Sequence, residues 1–185
     1  MIVRRWFHLG RLRWFGASLH VHLSVVIAMA VLALMAVDSP AYAIATLLSL
    51  LAVILIHELG HAAVAQYFGY SVEAIWFTLI HGRCEFEAPH SEWERVLIAW
   101  GGVAAQLLVA VPLCVLDSFW RGSLGILGPV ILILGYWSLV LVMFNLLPMR
   151  DLDGRLAWRI IPLLRHRSGA KSVVRAALRR TRRGR

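Results

Sequence analysis

From Ala41 to Ile56 the chain runs through sixteen uncharged, mostly apolar residues and then straight into His57-Glu58-Leu59-Gly60-His61. A run of that length belongs to a membrane-spanning helix, where ionisable side chains are costly and rare. Three of them within five positions need a reason. On a helix, histidines four residues apart project from one face, so their ring nitrogens can converge on one metal ion. Glu58 follows the first histidine and lies close enough to take a proton from a water held there. Zinc suits imidazole and carboxylate ligands, and a catalytic zinc keeps one position open. The alternative, a chance pattern on the surface of a soluble helix, conflicts with the apolar surroundings.

Composition supports the membrane. Of 185 residues, 60% are hydrophobic and 16% charged, and the mean hydropathy is +0.73. A water-soluble domain would have nowhere to bury that much apolar surface. The formal charge of +9 does not point to nucleic acid, because the basic residues crowd the two ends. Arg4, Arg5, Arg11 and Arg13 precede the first apolar run, and twelve of the nineteen Lys and Arg follow Met149. That is the arrangement of cytoplasmic flanks beside anionic lipid. Cys84 and Cys114 fall in a predicted hairpin and an apolar helix, so no disulfide is expected. The first apolar run has no small-residue cleavage site before Asp38-Ser39-Pro40. It is expected to remain as a helix and not to be removed as a leader.

The predicted fold class is an all-α polytopic membrane protein, with about four transmembrane helices and a small membrane-associated β-hairpin after the second. The spans are expected at about residues 19–37, 41–68, 95–116 and 124–147. Residues 1–16 read as a basic and aromatic interfacial segment, 17–154 as the core, and 155–185 as a basic amphipathic tail. The hairpin covers about residues 72–88: a β-branched and aromatic run from Ala74 to Ile80, a turn at His81-Gly82, and the alternating Arg83-Cys84-Glu85-Phe86-Glu87. An open strand edge there can receive an extended peptide, with Trp76 and Phe86 as candidate contacts. Gly101-Gly102 and Ala104-Ala105 offer small surfaces for close helix packing. Gln106 is the interior amide of that span, either an interhelical hydrogen bond or a group facing the site. His20 and His22 read as interfacial histidines at a helix end, with His22 kept as a candidate site residue.

At about 1.5 Å per residue, His57 lies about 24 Å along its helix from Ala41, near one face of an apolar core about 30 Å thick. Basic ends place both termini in the cytoplasm, so the second and fourth spans run in the same direction and end on that side. Two histidines leave zinc short of a ligand. Asp38 and Asp117 fall on the opposite side, and Glu73, Glu85, Glu87, Glu92 and Glu94 lie in or beside the hairpin. Asp153 is the best placed acid, with Asp151 second; a simple turn is the other reading of Asp153-Gly154.

His57-Glu58-Leu59-Gly60-His61 inside one membrane helix, followed by Asn145-x-x-Pro148-x-x-x-Leu152-Asp153-Gly154 at the end of a later one, resembles the site-2 protease family of intramembrane zinc metalloproteases. The resemblance runs from about Leu19 to Gly154. Val21-His22-Leu23-Ser24 is similar to the small bacterial-type members, including the sporulation-factor proteases. It implies that His57, His61 and Asp153 bind one zinc ion, that Glu58 is the general base, and that Asn145 engages substrate. It also implies hydrolysis of peptide bonds in membrane-embedded substrates, such as a single-span membrane protein or a signal-peptide remnant. The setting would be the bacterial cytoplasmic membrane, with the site opening to the cytoplasm.

One departure stands out. Where the family's third-span motif has Gly-Pro and then an asparagine, this chain has Gly101-Gly102-Val103-Ala104-Ala105-Gln106, with Gln106 in the amide's place. No PDZ-like insertion or C-terminal nucleotide-sensing domain is expected within these residues, so such regulation is absent or supplied by a partner, a homo-oligomer or a regulatory membrane protein. Two rivals stay open. A catalytically inactive metal-binding scaffold would have no need of Glu58, and a metal transporter would spread its polar residues along several spans.

Overall fold

The computed structural model describes residues 6–8, 16–35, 39–78, 82–120 and 125–165. Its frame is a pair of 28-residue helices, α2 (Pro40–Tyr67) and α3 (Glu92–Phe119). Pro40 stands in the first turn of α2, where its missing N–H leaves no bond unmade. Ser91 caps α3: its hydroxyl accepts the Glu94 N–H, and the Glu94 carboxylate accepts the Ser91 N–H at 3.0 Å. These reciprocal bonds satisfy two donors at the helix start. The Tyr70 hydroxyl donates to the same carboxylate at 2.8 Å and accepts the His90 N–H, so the chain leaving α2 is tied to the start of α3.

A third long helix runs through α4 (Leu127–Val130), a π-helical stretch (Ile131–Trp137) and α5 (Ser138–Asn145). The π turns lie against α3, where Gly135 comes close to Cys114. Among the described residues, these three helices are long and apolar enough to cross a membrane. Their outer faces keep large apolar side chains such as Leu108, Leu132 and Met143 exposed, as a lipid-facing surface would.

Two expectations need correction. The chain is not all-α: β1 (Trp6–His8), β2 (Ser18–His22), β3 (Val72–Phe77) and β4 (Gly82–Phe86) form one mixed sheet in that order. The predicted hairpin supplies β3 and β4, which pair antiparallel with Val72 opposite Phe86 and Trp76 opposite Arg83; its turn residue His81 lies outside the described residues. The other two strands come from the N-terminal side. β2 pairs parallel to β3, a geometry that needs a crossover, here made by α1 and α2.

The first predicted span, residues 19–37, is the second correction. Residues 19–22 belong to β2, helix α1 covers Leu23–Met35, and residues 36–38 lie outside the described residues. The 13 described residues of α1 rise about 20 Å. The physical reason is period two in Ser18-Leu19-His20-Val21-His22, which sets Leu19 and Val21 against the core and the three polar side chains on the other face. Past α5 comes a short α6 (Gly154–Ala157), and residues 160–165 are helical. The basic stretch from Lys171 to Arg185 lies outside the described residues.

The sheet packs over the C-terminal half of α2. Ile75, Phe77 and Val72 meet Ala62 and Ala65 in a small core that also takes in Tyr70 and Ile98. The metal-motif turn of α2 is therefore enclosed between the sheet and α3. The two helices cross where glycines meet: a side chain on Gly60 would run into the Gly101 carbonyl, and one on Gly101 would come within 2.9 Å of Val64 Cγ2. Gly101→Val should lower stability by at least the ~1–3 kcal/mol of an overpacked core, since backbone blocks relaxation. Thermal unfolding in detergent tests this, with the lipid-face change Leu108→Val expected to be near neutral.

Candidate metal centre

His57 and His61 are both buried, 8% and 7% exposed, although they sit in a helix built for a membrane. Their outer nitrogens are held by α3. His61 Nδ1 lies 2.7 Å from the carbonyl of Ile98, which can only accept, so Nδ1 carries the proton. His57 Nδ1 donates likewise to Gln106 Oε1 at 3.0 Å. Both imidazoles thus turn Nε2 inward, and those nitrogens stand 3.0 Å apart. The Asp153 carboxylate completes the set, with Oδ2 at 2.9 Å from His57 Nε2 and 3.3 Å from His61 Nε2.

Three lone-pair donors at such separations repel unless a cation lies among them. Zinc bound at about 2.0–2.1 Å in a tetrahedron sets its ligand atoms about 3.3 Å apart, close to the 2.9–3.3 Å found here. The residues present therefore fit a zinc ion.

Space at the centre comes from glycine. Gly102 lies on α3 midway between Ile98 and Gln106, on the same stripe at intervals of four residues. A Cβ there would stand 2.6 Å from His61 Nε2 and 2.7 Å from His57 Cε1. The sequence pairs Gly102 with Gly101 as packing surface; in the fold, Gly101 meets α2 and Gly102 clears the ligands.

Glu58 is 4% exposed and faces β4. Its carboxylate accepts the Cys84 backbone N–H, and it lies against Gly82, where any side chain would collide with it. The Cys84 thiol, beside this carboxylate, is pushed up to about 12 by burial and then by the negative charges of Glu58 and Glu85.

A cavity of about 810 Å³ opens onto these groups. His57, Glu58, His61, Gln106, Asn145 and Asp153 line it, and Phe86 and Asp151 stand on its wall. Trp76 and His22 do not line it. Strand alternation turns Trp76 to the outer sheet face, where its ring stacks on His20 at 3.9 Å and meets Trp6 edge-on. His22 Nδ1 binds Ser24 at the start of α1. The expected contact residue Trp76 therefore stands apart from the cavity, on the other sheet face, and His22 lies where β2 passes into α1. Residue reading missed Ile98, whose part is played by a carbonyl with no side-chain signature. It also missed Gly102, which the four-residue stripe with Gln106 could have revealed.

The His-Glu-x-x-His turn of one long apolar helix thus closes on an aspartate from beyond the end of a later one, a donor set that could hold a metal ion. Residues 45–122 match the model of peptidase family M50. Two curated proteins are similar in sequence. A Synechocystis sp. protein provisionally named zinc metalloprotease sll0528 is 33% identical over 111 residues, 59% of this chain and 29% of its own length. Stage IV sporulation protein FB of Bacillus subtilis is 31% identical over 118 residues, 58% of this chain and 37% of its own. The chain thus spans about a third of the matched relatives' length. In fold it is similar to the site-2 protease from Methanocaldococcus jannaschii, with a TM-score of 0.63, 21% identity, and coverage of 84% of this chain and 71% of that one.

Two outcomes follow from the centre. Gly102→Ala should leave the helices folded yet weaken zinc binding at least tenfold, as expected when a ligand's close surroundings are disturbed; titration against a zinc chelator measures it. In a Cys114→Ser background, Cys84 should resist alkylation at pH 8. Glu58→Gln, by removing the nearest negative charge, should lower the thiol pKa and speed the reaction. An unchanged pH profile of alkylation would contradict that reading of the Cys84 surroundings.

Proposed function

We propose that this protein is an intramembrane zinc endopeptidase that hydrolyses peptide bonds of membrane-embedded substrates. The observation that carries this reading is the convergence of His57, His61 and Asp153 with the separate, buried carboxylate of Glu58 beside them. The names of the relatives support it. Zinc, when bound, supplies an acidified water and polarises the scissile carbonyl. The protein does the rest. Glu58, oriented by the Cys84 N–H, accepts the proton of the attacking water and returns it to the leaving amine. Gln106 and Ile98 fix both histidine tautomers, so their inner nitrogens stay available as ligands. Asn145, half-buried on the cavity wall, is placed to hold the substrate backbone and to help the developing oxyanion.

A substrate helix has its carbonyls hydrogen-bonded within itself and must unwind before attack. β4 is an edge strand that borders the cavity through Gly82, Arg83, Cys84 and Phe86. Its outer edge, apart from the Cys84 N–H already given to Glu58, suits an extended segment added alongside, with Phe86 against the side chains. The substrate class is a single-span membrane protein or a signal-peptide remnant. The basic flanks support a cytoplasmic opening and contact with anionic lipid in a bacterial cytoplasmic membrane.

The test combines zinc content with cleavage of a fluorogenic single-span substrate in detergent. The native chain should hold stoichiometric zinc, and Asp153→Ala should lose or weaken it. Glu58→Gln should keep zinc while its turnover falls by about 10²–10⁴-fold, the usual worth of a general base. A folded native chain with no zinc would refute the peptidase reading. Zinc with equal cleavage by Glu58→Gln would remove Glu58 from the chemistry.

A further inference from the structure

Asp153 reaches the histidines from outside the membrane helices, on the stretch between α5 and the four-residue α6. So short a helix has no stability of its own, because its nucleation cost is never recovered. Asp153 stands at its N-cap position without a side-chain capping bond, so the carboxylate is directed to His57 and His61 and not to its own helix. Something else must hold this turn in place.

Resting on the zinc reading above, we infer that Trp100 and Trp158 are positioning residues for Asp153. The Trp100 indole N–H, projecting from α3, donates to the Ala157 carbonyl at 3.0 Å. That carbonyl belongs to the last turn of α6, where helical acceptors are otherwise left over. The Trp158 indole N–H donates back to the Leu146 carbonyl at 2.6 Å, just past the end of α5. The Asp153 stretch is thereby closed at both ends. The two indoles meet edge to face, with ring centroids 6.4 Å apart and planes at 78°. Gly154 completes the closure, since a side chain there would strike the Leu146 and Leu147 carbonyls. An Arg159–Glu92 ion pair at 2.7 Å also joins this region to α3, but both groups are half-exposed and such pairs add little.

Trp100 lies between Ile98 and Gly102 on α3. One helix therefore governs all three ligands: Ile98 sets His61, Gln106 sets His57, and Trp100, through α6, sets Asp153. Neither indole lines the cavity, so neither touches the reacting atoms.

The experiment uses full-length protein in detergent and measures affinity for Zn²⁺ and the visible spectrum of the Co²⁺-substituted form. The variants are Trp100→Phe and Trp158→Phe, which keep an aromatic ring and lose the N–H, each made alone and combined with Asp153→Ala. Each single variant should bind zinc about tenfold more weakly than the native chain, and its Co²⁺ spectrum should move towards that of Asp153→Ala. Added to Asp153→Ala, neither change should cost further affinity, because the ligand they position is already gone. Native affinity and spectrum in both single variants would overturn the inference, as would equal weakening with and without Asp153. If Trp100→Phe fails to give monodisperse protein, the Trp158→Phe cycle decides by the same criteria. Absence of zinc from the native chain would sink the metal site itself, an outcome distinct from these.

Discussion

Everything at the centre of this protein depends on how closely α2 and α3 approach. Gly60 and Gly101 remove the side chains that would hold the two backbones apart. At that distance the Ile98 carbonyl and the Gln106 amide reach the outer nitrogens of His61 and His57. In an apolar, water-poor setting an unbonded imidazole N–H is expensive, so these bonds do more than orient rings. They decide which nitrogen keeps its lone pair, and with it whether the helix presents two ligands or two donors. The contact between the helices and the tautomers of the histidines are one constraint.

The remaining parts are attached to that pair. The sheet encloses the motif turn of α2 from the other side and brings the Cys84 N–H and the side-chain-free Gly82 against Glu58. Asp153 arrives last, on a short turn that cannot stand alone and is fastened through indole N–H groups. Acid and ligands therefore come from three separate packing interfaces. Glu58 is held by β4 and the two histidines by α3, so either can be perturbed without the other.

The departure at Gln106 has a physical account. The amide at this position reaches across to His57 Nδ1 at 3.0 Å and is 2% exposed, so it acts as an acceptor that fixes a ligand. Of the two roles the residue reading left open, an interhelical bond or a group facing the site, it fills both at once. Its partner is a site residue on the neighbouring helix, and it also lines the cavity.

What the sequence determined by itself was the chemistry and the solvent. An apolar run ending in His57-Glu58-Leu59-Gly60-His61 specifies both a membrane helix and a metal-binding face, because helical spacing is local and needs no partner. The alternation in residues 83–87 likewise announced β4, which runs over Gly82–Phe86. Asp153 was legible from topology, since few acids could end on the same side as the motif. The start of the first helix was misjudged because Ser18-Leu19-His20-Val21-His22 borders an apolar run, and hydropathy does not see the strand partner that claims it. Only the tertiary structure decided that Ile98 gives a carbonyl, that Gly102 clears the ligands, that Trp76 turns away, and that indoles fasten the Asp153 turn. Those are contacts between residues distant in sequence, made by backbone groups or by the lack of a side chain. Periodicity and composition carry no record of them, and close packing is what brings them into being.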